Sequence, residues 1–238
     1  MTCFPLAGQT VILTGAAQGL GAAVARHFAE QGARLILMDC NEQDLAATAA
    51  ACGAGASAIS VDLSDAAATD AAIAKALQAG PIHTLIHNAA ILTPKPFADE
   101  DFAGFRRTLD VGLQAGFQLA KGVWSGMVDA GGGALIFVSS RSGIQGFGDE
   151  AAYCAAKHGL EGLSKSLADA GTAHGIISST ITPGMYMHTP MSERNYPDEL
   201  KQKWVDPIRL APAFALIAET RAAEFNGQRL DAWKLSQQ

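Results

Sequence analysis

Tyr153 and Lys157 stand one helical turn apart in the run Ala-Ala-Tyr-Cys-Ala-Ala-Lys-His. A glycine-spaced turn, Thr14-Gly15-Ala16-Ala17-Gln18-Gly19-Leu20-Gly21, lies near the start of the same chain. At i and i+4 the tyrosine and lysine leave one face of a helix. An ammonium beside a phenol favours the phenolate, so the tyrosine pKa is expected to fall from about 10 toward working pH. Such a pair suits general acid/base chemistry. The glycine turn offers a second kind of chemistry. Glycines let backbone approach a pyrophosphate, and a helix N-terminus presents unpaired N–H groups and the positive end of its dipole.

The elements that must hold these groups alternate along the chain. Thr10–Leu13 reads as a buried strand running into the glycine turn, and Ala22–Gln31 as the helix leaving it. Further apolar runs fall at Arg34–Met38, Ala58–Val61, Thr84–His87, Ala134–Val138 and Ile176–Ile181. Helical patterns separate them: one through Leu45, then Ala66–Gln78, Asp101–Met127 and Ala151–Ala170. Strands alternating with helices predict an α/β fold, a doubly wound, Rossmann-type parallel sheet with helices on both faces. With no repeat or linker, residues 1–238 read as one domain. The stretch 185–210 breaks the rhythm with Pro190, Pro197 and Pro207, and follows the carboxyl end of a strand, where open α/β sheets bind ligands. It is expected to be a small lid.

Asp39 sharpens the cofactor reading. It closes the second strand 18 residues past Gly21, where its carboxylate can accept hydrogen bonds from the adenosine ribose and repel a 2′-phosphate. Gln18 and Cys40 supply no compensating positive charge. The expected cofactor is NAD, with NADP disfavoured. The spacing is not G-x-G-x-x-G, so the usual dinucleotide fingerprint is not met.

These motifs are similar to those of the short-chain dehydrogenase/reductase family, and the resemblance spans Thr14 to about Gly227. Its parts follow in order: Thr-Gly-x-x-x-Gly-x-Gly at Thr14–Gly21, Asp62-Leu63, His87-Asn88-Ala89-Ala90, Val138-Ser139-Ser140, Tyr153-x-x-x-Lys157 and Pro183-Gly184. The resemblance implies an NAD(P)-dependent oxidoreductase that interconverts an alcohol and its ketone or aldehyde. Ser140, thirteen residues before Tyr153, would orient the substrate oxygen. Tyr153 would transfer the proton, and Lys157 would assist it and bind the nicotinamide ribose. Gly15, Gln18, Gly19, Leu20, Gly21, Asp39, Asp62, Leu63, Asn88, Ala89, Pro183, Gly184 and Thr189 would complete the cofactor site. A homodimer or homotetramer is also implied.

Three departures from that pattern stand out. His87 occupies the first position of the usual Asn-Asn-Ala-Gly and is expected to be structural. Thr189 lies one residue beyond the usual spacing from Pro183-Gly184. Gly112, five residues before Phe117 and nine before Lys121, replaces an asparagine that in the family helps hold a proton-relay water. That glycine is the feature favouring the alternative class, a dinucleotide-binding sensor or low-activity structural homologue.

Composition excludes several other classes. The 238 residues carry a formal charge of −6 and no basic run, which argues against a nucleic-acid surface. The four cysteines form no C-x-x-C pair, and no metal site is expected, so they read as reduced thiols in a cytoplasmic protein. Neither a signal peptide nor a spanning segment is expected. Ile91, Leu92, Ile144, Phe147, Tyr186, Met187 and Trp204 are candidate walls of a mostly apolar small-molecule pocket. Asp149 and Glu150 are expected to be solvated at its mouth.

Overall fold

Seven parallel strands form one sheet in the order β3-β2-β1-β4-β5-β6-β7 in the computed structural model, which describes residues 3–237. The strands are β1 (Thr10–Thr14), β2 (Arg34–Asp39), β3 (Ala56–Ser60), β4 (Thr84–His87), β5 (Gly133–Val138), β6 (Ile176–Thr182) and β7 (Arg229–Asp231). The strand order reverses between β1 and β4, which opens a crevice at their carboxyl ends. β1, β4, β5 and β6 are buried along their whole length, as parallel strands covered on both faces must be.

Helices cover both faces. On one side α1 (Gly19–Glu30) and α8 (Ala211–Thr220) pack Val24, Phe28, Phe214 and Ile217 against Val11, Leu13 and Ile136. On the other, α3 (Ala66–Leu77) and α5 (Ala115–Asp129) join α6 (Ala151–Gly171) in packing Ile73, Leu119, Val123 and Leu160 against Ile12, Leu85 and Phe137. α2 (Glu42–Cys52) is capped by Asn41, and α3 by Asp65, whose carboxylates or amide oxygen accept first-turn N–H groups.

The expected long helix from Asp101 to Met127 is broken. α4 (Phe102–Leu109) ends in a wide π-type turn, Asp110–Gln114, before α5 begins, and the Ala115 N–H donates to the Asp110 carbonyl across it. Gly112 sits in this turn, where a residue of low helix propensity costs least. The strand β7 had no sequence signal. It is only Arg-Leu-Asp, with charge at both ends, so no apolar run betrays it.

Residues 185–210 form short pieces over the crevice: α7 (Pro190–Asn195), two 3-10 turns and a single bridge between Met187 and Val205. Among the described residues no helix is long and apolar enough to cross a membrane, and no cluster of His, Cys, Asp and Glu could hold a metal ion. Cys40, Cys52 and Cys154 are free thiols.

Candidate active site

A cleft of about 960 Å³ runs along the carboxyl ends of the strands, from Asp39 and Cys40 at one end to Ser140, Tyr153 and Lys157 at the other. At the first end, Gly15 adopts φ +64°, a conformation side chains rarely tolerate. Gly21 does not face the cleft. A Cβ there would lie 2.0 Å from the Gly15 carbonyl oxygen and 2.9 Å from the Asn88 amide, so Gly21 lets α1 pack directly under the turn. Gln18, Gly19 and Leu20 line the cleft above it.

The Asp39 carboxylate is fixed by the Ala17 N–H on one oxygen and the Asn41 N–H on the other, each at 3.0 Å. Asp62 accepts from the Ser64 N–H, the Ser64 hydroxyl and the Arg107 guanidinium, and these contacts hold its carboxyl below the usual range. Asn88 ties the end of β4 to β1, its amide donating to the Thr14 and Gly15 carbonyls at 3.2 and 3.0 Å. Leu63, Ala89, Pro183, Gly184 and Thr189 also line the cleft. Thr189 has a second task, since its hydroxyl caps α7 by accepting from the Ser192 N–H. The turn that only glycine can follow, the fixed carboxylate beyond it and the length of the cleft fit a dinucleotide.

At the other end, α6 presents Tyr153, Lys157 and Glu161 at successive i+4 positions. Lys157 is 2% exposed and donates to the Val138 carbonyl at 2.6 Å. Burial lowers its pKa to about 8, against the opposing charge of Glu161. Glu161 is itself buried; it accepts from the Ser139 and Thr180 hydroxyls and pairs with Arg229 at 3.2 Å. Arg229 also donates to the Ser140 carbonyl, so the start of β7 is fastened to the chain leaving β5 and, through Glu161, to β6.

The tyrosine departs from the simple pairing argument. Lys157 Nζ lies 5.4 Å from the Tyr153 ring centroid, yet burial pushes the phenol well above its ordinary pKa. Nearby Tyr196 and Glu150 add to the rise, and a contact with the Ser140 hydroxyl opposes it. Desolvation outweighs the ammonium here, contrary to the i,i+4 expectation.

Glu150 is not solvated as expected. It is partly buried and its Oε2 accepts from the Ser142 hydroxyl at 2.6 Å, whereas Asp149 remains exposed. Of the predicted pocket wall, Ile91, Ile144, Tyr186, Met187 and Trp204 line the cleft. Leu92 turns into a smaller hollow, and Phe147 stacks under Arg141 instead. Arg141, Met185, Met191, Tyr196, Gln202 and Lys203 also line the cleft, which is mostly apolar with a few polar tips. Their contribution depends on how the 185–210 segment folds back, and no periodicity encodes that.

Comparison with known proteins decides the family. A model described as short chain dehydrogenase matches residues 9–200. The chain belongs to the short-chain dehydrogenase family. Among its relatives it is similar to 2,5-dichloro-2,5-cyclohexadiene-1,4-diol dehydrogenase of Sphingobium indicum, with 36% identity over 93% of both chains. It is also similar to D-threitol dehydrogenase of Mycolicibacterium smegmatis, with 32% identity over 95% of this chain and 92% of the other. A 3-ketoacyl-(acyl-carrier-protein) reductase from Brucella melitensis, solved with NADH, shares the fold at a TM-score of 0.89 and 24% identity, covering 95% and 97% of the two chains. The chain is therefore an NAD(P)-dependent oxidoreductase acting on a small alcohol or its carbonyl counterpart.

Two of this dehydrogenase's departures from its family touch each other. His87 is fully buried between the Thr14 hydroxyl, 3.0 Å from Nδ1, and the Gly112 carbonyl, 3.2 Å from Nε2. Thr14 Oγ1 already accepts from the Asn88 and Ala89 N–H groups, so its one proton points to His87 Nδ1. The Nε2 proton then donates to Gly112, which fixes a neutral tautomer. A side chain at Gly112 would bring its Cβ within 3.1 Å of the Ala156 Cβ, so the asparagine usual in the family would require Ala156 to give by a few tenths of an ångström.

Burial, with a smaller push from Lys157, lowers the His87 pKa to about 4. Unfolded histidine binds a proton near 6.5. Between pH 6.5 and about 4 the unfolded chain therefore binds more protons, and this stabilisation is lost as pH falls through that window. The full shift is worth roughly 3 kcal/mol at about 1.4 kcal/mol per pH unit. Urea midpoints at pH 7 and pH 4.5 are expected to differ less in His87→Asn than in the wild type. Equal differences would place the acid sensitivity elsewhere.

Proposed function

We propose that the chain oxidises a secondary hydroxyl of a small polyol or cyclic diol with NAD, reversibly. Tyr153 is the general acid/base, Ser140 orients the substrate oxygen, and Lys157 assists the tyrosine. The observation that carries this reading is the convergence of Ser140, Tyr153 and Lys157 at one end of a cleft whose other end is the Asp39 carboxylate. The bound nicotinamide supplies a hydride acceptor at the substrate carbon. The protein's own share is to hold the alcohol oxygen between Ser140 and Tyr153 and to take its proton. Lys157, protonated at neutral pH with its pKa held near 8, supplies positive charge 5.4 Å from the Tyr153 ring centroid and so favours release of the phenol proton.

The substrate class rests on two supports. The cleft lining mixes apolar Ile91, Met185 and Met191 with Arg141, Tyr186 and Tyr196, which carry polar tips. The two relatives named above act on a cyclic diol and on a polyol. The segment 185–210 serves as a lid of the single domain, because its residues form one wall of the cleft. Family resemblance supports a homodimer or homotetramer, and the free thiols support a cytoplasmic setting.

Cofactor choice is tested at Asp39. Asp39→Ala should weaken NAD about ten- to hundredfold, the loss of charge-assisted hydrogen bonds worth ~1.5–3 kcal/mol. NADP should change less, because repulsion of its phosphate goes with the carboxylate. Dissociation constants for both cofactors, from protein fluorescence, decide this. An unchanged NAD/NADP ratio would remove Asp39 from the ribose.

A further inference from the structure

A line of hydroxyls leaves the catalytic end of the cleft and finishes on a carboxylate. The Ser140 hydroxyl, which lines the cleft together with Tyr153, donates to Ser142 Oγ at 3.3 Å. The Ser142 hydroxyl donates to Glu150 Oε2 at 2.6 Å. The Ser142 N–H donates to Ser140 Oγ at 3.2 Å, closing a turn that fixes the two serines relative to each other. Glu150 takes no part in capping α6 with its side chain. It faces a second hollow of about 300 Å³, shared with Lys95, Glu100, Arg107 and the far side of Tyr153.

The Lys157 side offers no comparable path. Lys157 is buried and spends one proton on the Val138 carbonyl. The Gly112 carbonyl is engaged by His87, and Gly112 carries no side chain to hold a water there. Glu161 is buried and satisfied by Ser139, Thr180 and Arg229.

We infer that Ser142 and Glu150 form the proton exit of this dehydrogenase, with Glu150 the terminal base that resets Tyr153 after alcohol oxidation. The inference rests on the assignment of Tyr153 and Ser140 made above. In each turnover the substrate O–H bond breaks and its proton joins the Tyr153 oxygen as the Tyr153 proton passes to Ser140 Oγ, and a bound nicotinamide would accept the hydride from the carbon. Ser140 passes its own to Ser142 Oγ, Ser142 passes its own to the Glu150 carboxylate, and the Glu150 carboxyl releases it to water. Each hydroxyl breaks one O–H bond and forms another, so the chain ends unchanged, and no oxidant beyond NAD is needed. The loosest steps are the passage from Tyr153 to Ser140, which no hydrogen bond yet bridges, and the 3.3 Å link beyond it. Catalytic hydrogen bonds of this length in an empty site commonly tighten when substrate arrives.

Glu150→Gln and Ser142→Ala test the path, assayed with the fastest of threitol, sorbitol and the cyclohexanediols, with NADH affinity measured on the same preparations. Each variant should lower kcat on the order of tenfold, less than the 10²–10⁴-fold of a complete acid–base step, with KM for the alcohol little changed. Formate buffer should restore much of the lost rate in Glu150→Gln, which a merely structural defect would not allow. Wild-type kcat in both variants would overturn the relay and leave the assignment of Tyr153 standing. Lowered kcat with no recovery in formate, together with weakened NADH binding, would also overturn it, marking Glu150 as a scaffold. If the wild type oxidised no alcohol at all, the catalytic assignment would fall first and the relay with it.

Discussion

Tyr153→Phe should bind NADH nearly as well as the wild type and lose at least a hundredfold in turnover. The ring keeps its packing against α6 and the cleft, and only the hydroxyl that Ser140 and the substrate share is removed. Acid–base catalysis contributes typically 10²–10⁴-fold, so the loss should fall in that range. Phenylalanine cannot take the alcohol proton, and no other titratable side chain occupies Tyr153's place beside Ser140. Steady-state NADH formation beside a fluorescence titration separates the two effects. A variant that kept more than a few per cent of the wild-type rate would move the acid/base to another group.

The largest effect on folding and cofactor affinity together is expected from Gly21→Ala. One methyl there would stand 2.0 Å from the Gly15 carbonyl oxygen, inside any permissible contact, and that obstructing group is backbone. The turn would have to lift away from α1, spoiling the bed on which a pyrophosphate lies. Overpacking of this kind costs typically 1–3 kcal/mol, and a backbone clash belongs at the upper end. For a chain of this size that lowers Tm by roughly 6–12 °C. NAD affinity should fall by more than tenfold, about 1.4 kcal/mol. Calorimetry and an NADH titration check both. An alanine variant with wild-type Tm would mean that the helix and turn are less tightly apposed than described.

The parts of this molecule legible from sequence are those set by local pattern. Five of the seven strands announce themselves as short apolar runs such as Arg34–Met38 and Ala134–Val138, because a strand covered on both faces has no polar side to obscure it. The largely exposed edge strand β3 begins two residues before the Ala58–Val61 expected. Tyr153, Lys157 and Asp39 could be singled out as candidates because each follows a helical spacing or a strand end, whereas Ser140 was distinguished from Ser139 and Ser142 only by the family resemblance. What pattern hid were features made by long-range contact. The π-type turn at Asp110–Gln114 interrupts a helix that looks continuous, and the clamp of His87 on Gly112 joins residues 25 apart in sequence. The rise in the Tyr153 pKa comes from burial that only the assembled site creates. Glu150 looked like a solvated loop acid because its partner, Ser142, lies across the turn after β5.

Gly112 gave the sequence its one argument for a sensor without chemistry. In the fold that argument weakens, since Ala156 crowds the Gly112 position and the Gly112 carbonyl is held by His87. A site that has closed one route and kept Ser140, Tyr153 and Lys157 together is expected to work.

The most direct measurement is therefore NADH absorbance, followed with wild-type protein, saturating NAD and a panel of threitol, sorbitol and cyclohexanediols, beside a titration of NAD binding. The predicted result is sustained NADH formation with at least one of these alcohols, abolished in Tyr153→Phe while NAD still binds. Tight NAD binding with no turnover of any alcohol, and none of the corresponding ketones with NADH, would contradict it.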